Sequence, residues 1–313
     1  MNEYKPEGLL IDTPQNKQKL STVETLNSAY LNGDILESRA IICDSEHNLI
    51  VDLNVMEGII PREHGAIGIK QGQTKDIAII SRVNKPVCFK ILGFDHDENG
   101  KIYAKLSRRD AQMECRENYL SKLSPGDVIP AKVTHLESFG AFVDIGCGTS
   151  SLIPIDTISV SRINHPGERF KLHQNIFAIV KSIDDMDRIC LSHKELLGTW
   201  TENARVFSAG QTVAGVVRSI EEYGIFVELS PNLAGLAEPK NGVALGQHAS
   251  VYIKSIIPEK MKVKLIIVDS FDAAYDDTGI NYFIDSGHID KFKYSPENCF
   301  KVIETVFDGD TVD

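Results

Sequence analysis

Apolar and polar residues alternate with a period of two through much of this chain, the signature of strands with one face buried. The clearest alternating runs are residues 128–136, 141–145, 177–183, 212–220, 225–229 and 251–257. They belong to a repeat. At Gly33, Gly126 and Gly210 a glycine and one polar residue are followed by an alternating strand. After the second and third glycines the chain then reads Phe139-Gly140-Ala141-Phe142-Val143-Asp144-Ile145 and Tyr223-Gly224-Ile225-Phe226-Val227-Glu228-Leu229, matched position for position. Both copies pass through a turn rich in Gly and Leu (Ser151-Leu152-Ile153-Pro154, Gly235-Leu236-Ala237-Glu238) into a further alternating strand and close on Ile189-Cys190-Leu191 or Val263-Lys264-Leu265. The first copy is worn: its strands are predicted at 35–42, 49–53, 58–61, 87–94 and 101–106, and His47-Asn48-Leu49-Ile50 replaces the two aromatics around a glycine.

Five short strands in a repeat of this size suggest a small closed antiparallel barrel, because closure removes exposed edges. A five-stranded oligonucleotide/oligosaccharide-binding (OB) barrel is the smallest fit, and an SH3-like barrel satisfies the strand count almost as well. The fold class is therefore all-β: three tandem five-stranded antiparallel barrels joined by short helices. The spacing places an N-terminal helical segment at 1–32, the degenerate first repeat at 33–108, a helical linker at 109–123 and the second repeat at 124–193. A helical linker containing Trp200 follows at 194–207, then the third repeat at 208–270 and an acidic tail at 271–313. Trp200 reads as a packing anchor. Part of the tail is apolar enough to dock on the third barrel, with its last five or six residues disordered.

The facing of the strands carries the functional reading. Ala141, Val143 and Ile145 share one side of their strand, so Phe142 points to the other with Asp144. Ile225, Val227 and Leu229 likewise leave Phe226 and Glu228 outward. Phe139 and Tyr223 precede these rings across a glycine, so each barrel can lay two rings side by side on its surface. Every nucleobase has a π-face, and stacking contributes about 1–3 kcal/mol per base with little sequence preference. Single-stranded RNA is the matching ligand. Cations to meet phosphate are available at Lys132, Lys181 and Arg188 in the second repeat and at Lys254, Lys262 and Lys264 in the third. His165, in the loop Asn164-His165-Pro166, is placed either to cap a helix or to touch RNA. The competing readings are that the aromatic pairs are covered by a neighbouring barrel or the tail, and that the outward cations form an ordinary solvated face.

Composition changes this picture little. The 313 residues carry a formal net charge of −11, which argues against a nucleic-acid partner until the charges are located. The tail alone holds ten acids, among them Asp276, Asp277, Asp308 and Asp310, against Lys291, Lys293 and Lys301. The repeats are close to neutral, so the total says little about any one face. The sequence has no apolar run long enough to span a membrane and no secretory signal. Six scattered cysteines without metal-site spacing suit a reducing, cytoplasmic compartment. No nucleophile elbow, P-loop, zinc-protease motif or two-metal carboxylate cluster is present. Asp184-Asp185-x-Asp187 and Asp95-His96-Asp97 fall in predicted hairpin turns, where acids serve the backbone. The expectation is a protein that is not an enzyme and uses no metal or cofactor.

The pattern Gly-polar followed by Phe-Gly-x-Phe-Val-Asp, then Asp184 and Arg188 four apart before Ile-x-Leu-Ser, resembles the S-one (S1) RNA-binding repeat of bacterial ribosomal protein S1 and polynucleotide phosphorylase. Three such repeats cover residues 33–270, and the linker from Lys194 to Trp200 looks like those between S1 repeats. The resemblance implies an RNA face of two aromatics, a third-strand histidine, and an Asp and Arg flanking the last hairpin. The second repeat keeps Phe139, Phe142, Asp184 and Arg188 but has Pro154 at the histidine place. The third has Tyr223 and Phe226, with Glu238, Pro258 and Lys262 at the other places. The first retains Asp95 but shows His47, Ile50 and Tyr103. The implied function is single-stranded RNA binding, messenger RNA foremost, mainly on the second repeat, in an S1-like translation factor that contacts the small ribosomal subunit through the first. The alternative is a protein-interaction adaptor with little RNA affinity.

Overall fold

The computed structural model describes residues 4–273 and 279–307. Fifteen strands form three closed barrels. The first consists of β1 (Leu36–Cys43), β2 (Leu49–Asp52), β3 (Glu57–Ile60), β4 (Pro86–His96) and β5 (Ile102–Ser107). The second is built from β6 (Val128–Glu137), β7 (Gly140–Asp144), β8 (Ser150–Pro154), β9 (Asn175–Ile183) and β10 (Ile189–Ser192). The third comprises β11 (Thr212–Glu221), β12 (Gly224–Ser230), β13 (Leu233–Ala237), β14 (His248–Ile257) and β15 (Lys262–Phe271). In each, the strand order is first, second, third, fifth, fourth and back to first. The third and fifth strands pair in parallel in all three, so the expected all-antiparallel ladder has one exception per barrel. That closure makes the barrels OB folds.

The alternating residues fill the interiors. In the third barrel Val217, Ile225, Val227, Val251, Ile253, Val263 and Leu265 are all buried, each stabilising the fold by about 1.5–3 kcal/mol relative to exposure. Short helices α1 (Pro14–Lys19) and α2 (Val23–Asn32) precede the first barrel, α3 (Ile77–Ile80) lies in its long connection between β3 and β4, α4 (Arg108–Asn118) follows it, and α5 (Trp200–Ala204) precedes the third. Thr22 and Thr25 form a reciprocal cap on α2, which ends at Gly33 with φ 67°, the left-handed geometry that glycine adopts without strain. Thr199 and Glu202 cap α5 in the same way. Trp200 is buried against the third-barrel core.

By backbone packing the chain divides into two compact units. One contains the first barrel and α4 with Pro130–Lys132 and Asp144–Ser150; the other contains the remainder of the second barrel, the third barrel and the tail. Within the first unit, residues 5–8 form a strap that the period-two pattern did not reveal. The buried carboxylate of Glu7 accepts two hydrogen bonds from Arg108, at 2.6 and 2.9 Å, and one from Arg82 at 3.2 Å. Burial acts to raise the Glu7 pKa, but Arg108 and Arg82 outweigh it and hold the group below the usual carboxylate range.

In the second unit the tail reaches further than the third barrel alone. Strands β16 (Lys291–Lys293) and β17 (Glu304–Val306) form a hairpin, and Phe292, Tyr294 and Phe307 join the third-barrel core. The Tyr294 hydroxyl donates to the Asn232 carbonyl at 2.6 Å. The segment before the hairpin lies on the second barrel instead: the amide of Phe177 donates to the Tyr282 hydroxyl at 3.1 Å, and Ile289 N–H donates to the Gly126 carbonyl at 2.9 Å. The extreme C-terminus, for which disorder was expected, lies outside the described residues, as do Asp276, Asp277, Asp308 and Asp310.

Candidate nucleic-acid interface

The same row crosses the outside of each barrel. In the third, strand register places Ser219, Phe226, Leu236, Lys264 and Ser255 side by side. In the second, Leu152, Cys190 and Ser182 occupy the corresponding places on β8, β10 and β9, with Phe142 on β7. In the first barrel, Ile42, Ile50, Ile59 and Lys105 take those positions. An aliphatic side chain has no π-face, so the first barrel presents a different surface from the other two.

Phe139 and Phe142 meet edge to face, their centroids 5.9 Å apart and their planes at 89°. Tyr223 and Phe226 repeat the arrangement at 6.2 Å and 88°. Phe139 is 55% exposed and Tyr223 67%, while Phe142 and Phe226 are half-buried at the base of each pair. The intervening glycine makes this possible by close approach. A Cβ on Gly140 would meet the Ile153 carbonyl oxygen at 2.5 Å and Leu152 Cδ1 at 3.0 Å; on Gly224 it would meet the Ala237 carbonyl at 2.6 Å and Leu236 Cδ1 at 2.7 Å. Leu152 and Leu236 therefore border both aromatic pairs. Both leucines fall in the stretches expected to be Gly- and Leu-rich turns, but the structure makes these stretches the third strands β8 and β13, paired with β10 and β15; leucine carries no chemical signal of its own.

The other predicted residues are dispersed. Arg188 Nε donates to Asp184 at 2.7 Å, and Asp184 also accepts the amides of Met186 and Arg188. Those amide bonds, the Arg188 amide first and its guanidinium next, hold the Asp184 carboxyl below its ordinary pKa. The pair thus shapes the hairpin turn while its outer faces stay in solvent. Lys181 is exposed on β9. Lys132 is committed elsewhere, and this corrects its expected place on the face: its ammonium donates to the Glu7 carbonyl at 2.9 Å. His165 is a cap, accepting the Gly167 amide on Nδ1 at 3.0 Å. Lys262 and Lys264 are exposed along β15, and Lys254 lies 3.9 Å from the exposed carboxylate of Glu238.

The two outward acids of the central strands are buried, although alternation placed them towards water beside Phe142 and Phe226. Asp144 accepts the amides of Glu7, Gly146 and Gly148 at 2.7, 2.9 and 3.0 Å, and burial together with the nearby Glu7 charge lifts its pKa to about 7. Glu228 pairs with Arg169 and with Arg218, the latter at 2.8 Å. Among the described residues no cluster of three or more His, Cys, Asp or Glu side chains is arranged to hold a metal ion, and no helix is long and apolar enough to cross a membrane.

Tandem OB barrels, two of them bearing paired aromatic rings, define a class of modular proteins built from small closed barrels. Residues 122–194 match the family described as "S1 RNA binding domain". The chain is 30% identical over 253 residues to the small ribosomal subunit protein bS1 of Staphylococcus aureus, covering 75% of this chain and 62% of that one. It is 28% identical over 208 residues to bS1 of Rickettsia conorii, covering 62% and 36%. The chain thus spans between 36% and 62% of the length of these curated relatives. A solved multidomain protein with nucleic acid binding domains from Streptococcus pneumoniae is similar at 16% identity over 78% of this chain and 76% of that chain, with a TM-score of 0.26. The match to the S1 RNA binding domain is thus confined to the second barrel, and over 75% of its length the chain is similar to bacterial bS1 proteins.

Proposed function

We propose that the protein binds single-stranded RNA by stacking bases on Phe139 and Phe142 of the second barrel, with Tyr223 and Phe226 of the third as a second platform. Lys181 and Arg188 meet phosphate on the second barrel, and Lys262 and Lys264 do so on the third. The edge-to-face pair of exposed Phe139 on half-buried Phe142 carries this reading, because the fold leaves much of the Phe139 ring in water and a base can cover it. The role is that of a non-enzymatic, cytoplasmic, S1-like factor in translation, with messenger RNA as ligand. The first barrel is the partner surface for the small ribosomal subunit: its exposed Ile42 and Ile102 suit apolar protein contact better than base stacking.

Fluorescence anisotropy with a short unstructured RNA at two salt concentrations tests the reading. Binding is expected to weaken as salt rises, and Phe139→Ala with Phe142→Ala to reduce affinity by about 3 kcal/mol, on the order of a hundredfold. Unchanged affinity in the double variant would remove the second barrel from the mechanism and favour the adaptor reading. Co-sedimentation with ribosomes, and its loss in Ile42→Asp, checks the role given to the first barrel.

A further inference from the structure

Phe300 is 90% exposed, more than any other large apolar side chain among the described residues. Scattered exposed apolar residues are ordinary on protein surfaces. This one differs because the loop that carries it is held. The β16–β17 hairpin closes beneath it, Tyr294 N–H donates to the Ile303 carbonyl at 2.9 Å, and Cys299 N–H donates to the Pro296 carbonyl at 3.1 Å. Ile303 N–H also donates to Ser295 Oγ at 3.1 Å. An ordered loop is therefore built to present a phenyl ring to solvent.

The ring's place is set by a further contact. Phe300 N–H reaches the Glu259 carbonyl at 3.4 Å, and Glu259 sits in the one-turn helix Pro258–Lys260 that joins β14 to β15. Beside that turn Lys262 pairs with Ile257; two residues along β15, Lys264 lies in the row with Leu236 and Phe226. Residues two apart on a strand share a face and stand roughly 7 Å from one another. Strand β15 therefore carries Lys264 and Lys262 from the row of Phe226 towards the turn whose Glu259 carbonyl receives Phe300 N–H. Lys260 and Lys301 flank that contact and are exposed. In the second barrel the same turn holds the Asp184–Arg188 pair; the third lacks it.

We propose that Phe300 is a stacking residue supplied by the tail, which completes the third barrel's RNA face at the turn where that barrel has no Asp–Arg pair, with Lys262 and Lys301 meeting the adjoining phosphates. The inference rests on the RNA-binding reading above and extends it to a residue outside any S1 repeat. Lys260, Lys262, Lys264 and Lys301 outnumber the exposed acids Glu259 and Glu297 at this end, in a chain of net charge −11, which favours a polyanion over an apolar protein patch as the occupant.

The test uses the full chain and a labelled oligouridine of about twelve nucleotides, within the site sizes of OB proteins. Phe300→Ala is expected to weaken binding at least about fivefold, the lower end of a single stacked base, and Phe300→Tyr to restore it. Phe300→Trp adds an exposed indole to a protein whose sole tryptophan, Trp200, is buried, and its emission is expected to be quenched on adding RNA. Wild-type binding with unchanged affinity in Phe300→Ala and no quenching in Phe300→Trp overturns the inference while leaving the second-barrel mechanism standing. Absence of RNA binding by the wild type overturns both. If Phe300→Ala instead abolishes self-association in sedimentation and spares RNA affinity, the ring is a protein contact and the inference fails.

Discussion

The second and third barrels lay nearly the same pair of rings on the same strand, yet they satisfy the acid beside those rings by opposite means. Asp144 is wrapped by backbone amides, two from its own turn and one from Glu7 in the N-terminal strap. Glu228 is gripped by two guanidinium groups, Arg169 and Arg218. Both acids are outward by strand parity and both are buried. A covered outward position therefore does not require a particular partner chemistry, only that its polar atoms be satisfied. The difference between amide and guanidinium wrapping should nonetheless show in stability.

Glu228→Gln is expected to cost about 3 kcal/mol, since it leaves the buried guanidinium of Arg169 without its paired carboxylate, although Arg218 keeps Glu168. Asp144→Asn should cost only about 1–2 kcal/mol, because one of the three amide donors would face the new amide nitrogen while no charge is stranded. Urea titrations followed by Trp200 emission for the first variant and by circular dichroism for the second measure the two. Equal losses would show that the ionic network adds nothing beyond hydrogen bonding.

The grip on the tail separates the barrels in a second way. On the third barrel the Tyr294 hydroxyl binds a backbone carbonyl, a contact with no titrating acceptor. On the second barrel Tyr282 meets His193, whose Nε2 lies 3.1 Å from the hydroxyl and whose Nδ1 lies 2.8 Å from the Ile158 carbonyl. Burial holds the His193 pKa down to about 4, against an ordinary 6.5. The unfolded chain therefore binds a proton that the folded chain refuses, and the associated stability is full above about 6.5 and is lost as the pH falls towards 4. The loss should reach about 2 kcal/mol at pH 5. Hydrogen exchange at that pH is expected to quicken near Tyr282 before it quickens near Tyr294; simultaneous release would contradict separate anchoring.

The local pattern was informative where the physics is local. Strand alternation located β6 and β11 to within a residue of their observed ends, and the same period sorted Phe142 and Phe226 from the core. What it missed depends on pairs distant in sequence. Glu7 and Arg108 are 101 residues apart, and nothing near Glu7 signals a buried carboxylate. Lys132 has the parity and exposure pattern of a surface cation, and only the arrival of the strap diverts it. Tyr282 has no strand or helix period around it, so its seat on the second barrel was invisible when the tail was expected on the third alone. The exposure of Phe300 has the same origin: the apolar stretch that begins with it reads as material to bury, and its position follows from a hairpin and a turn distant in the chain.

The smallest effect is the most direct probe of the difference between the two aromatic faces. Glu238 follows β13 at the place where the second barrel has Pro154, and its exposed carboxylate stands 3.9 Å from Lys254. An exposed pair of this kind contributes little to stability, about 0–1 kcal/mol, so Glu238→Gln should leave the fold intact. Towards RNA the carboxylate acts twice, repelling phosphate and occupying a lysine that would otherwise meet it. Glu238→Gln is therefore expected to tighten RNA binding by about 0.5 kcal/mol, roughly twofold, at low salt, with the gain shrinking as the Debye length falls below about 10 Å. Pro154→Gln in the second barrel removes no charge and should produce no such salt-dependent gain. Anisotropy on both variants, titrated across ionic strength, decides the matter: a gain in Glu238→Gln that persists at high salt would mean that the glutamate works through shape rather than charge, and the electrostatic account of its effect would fail.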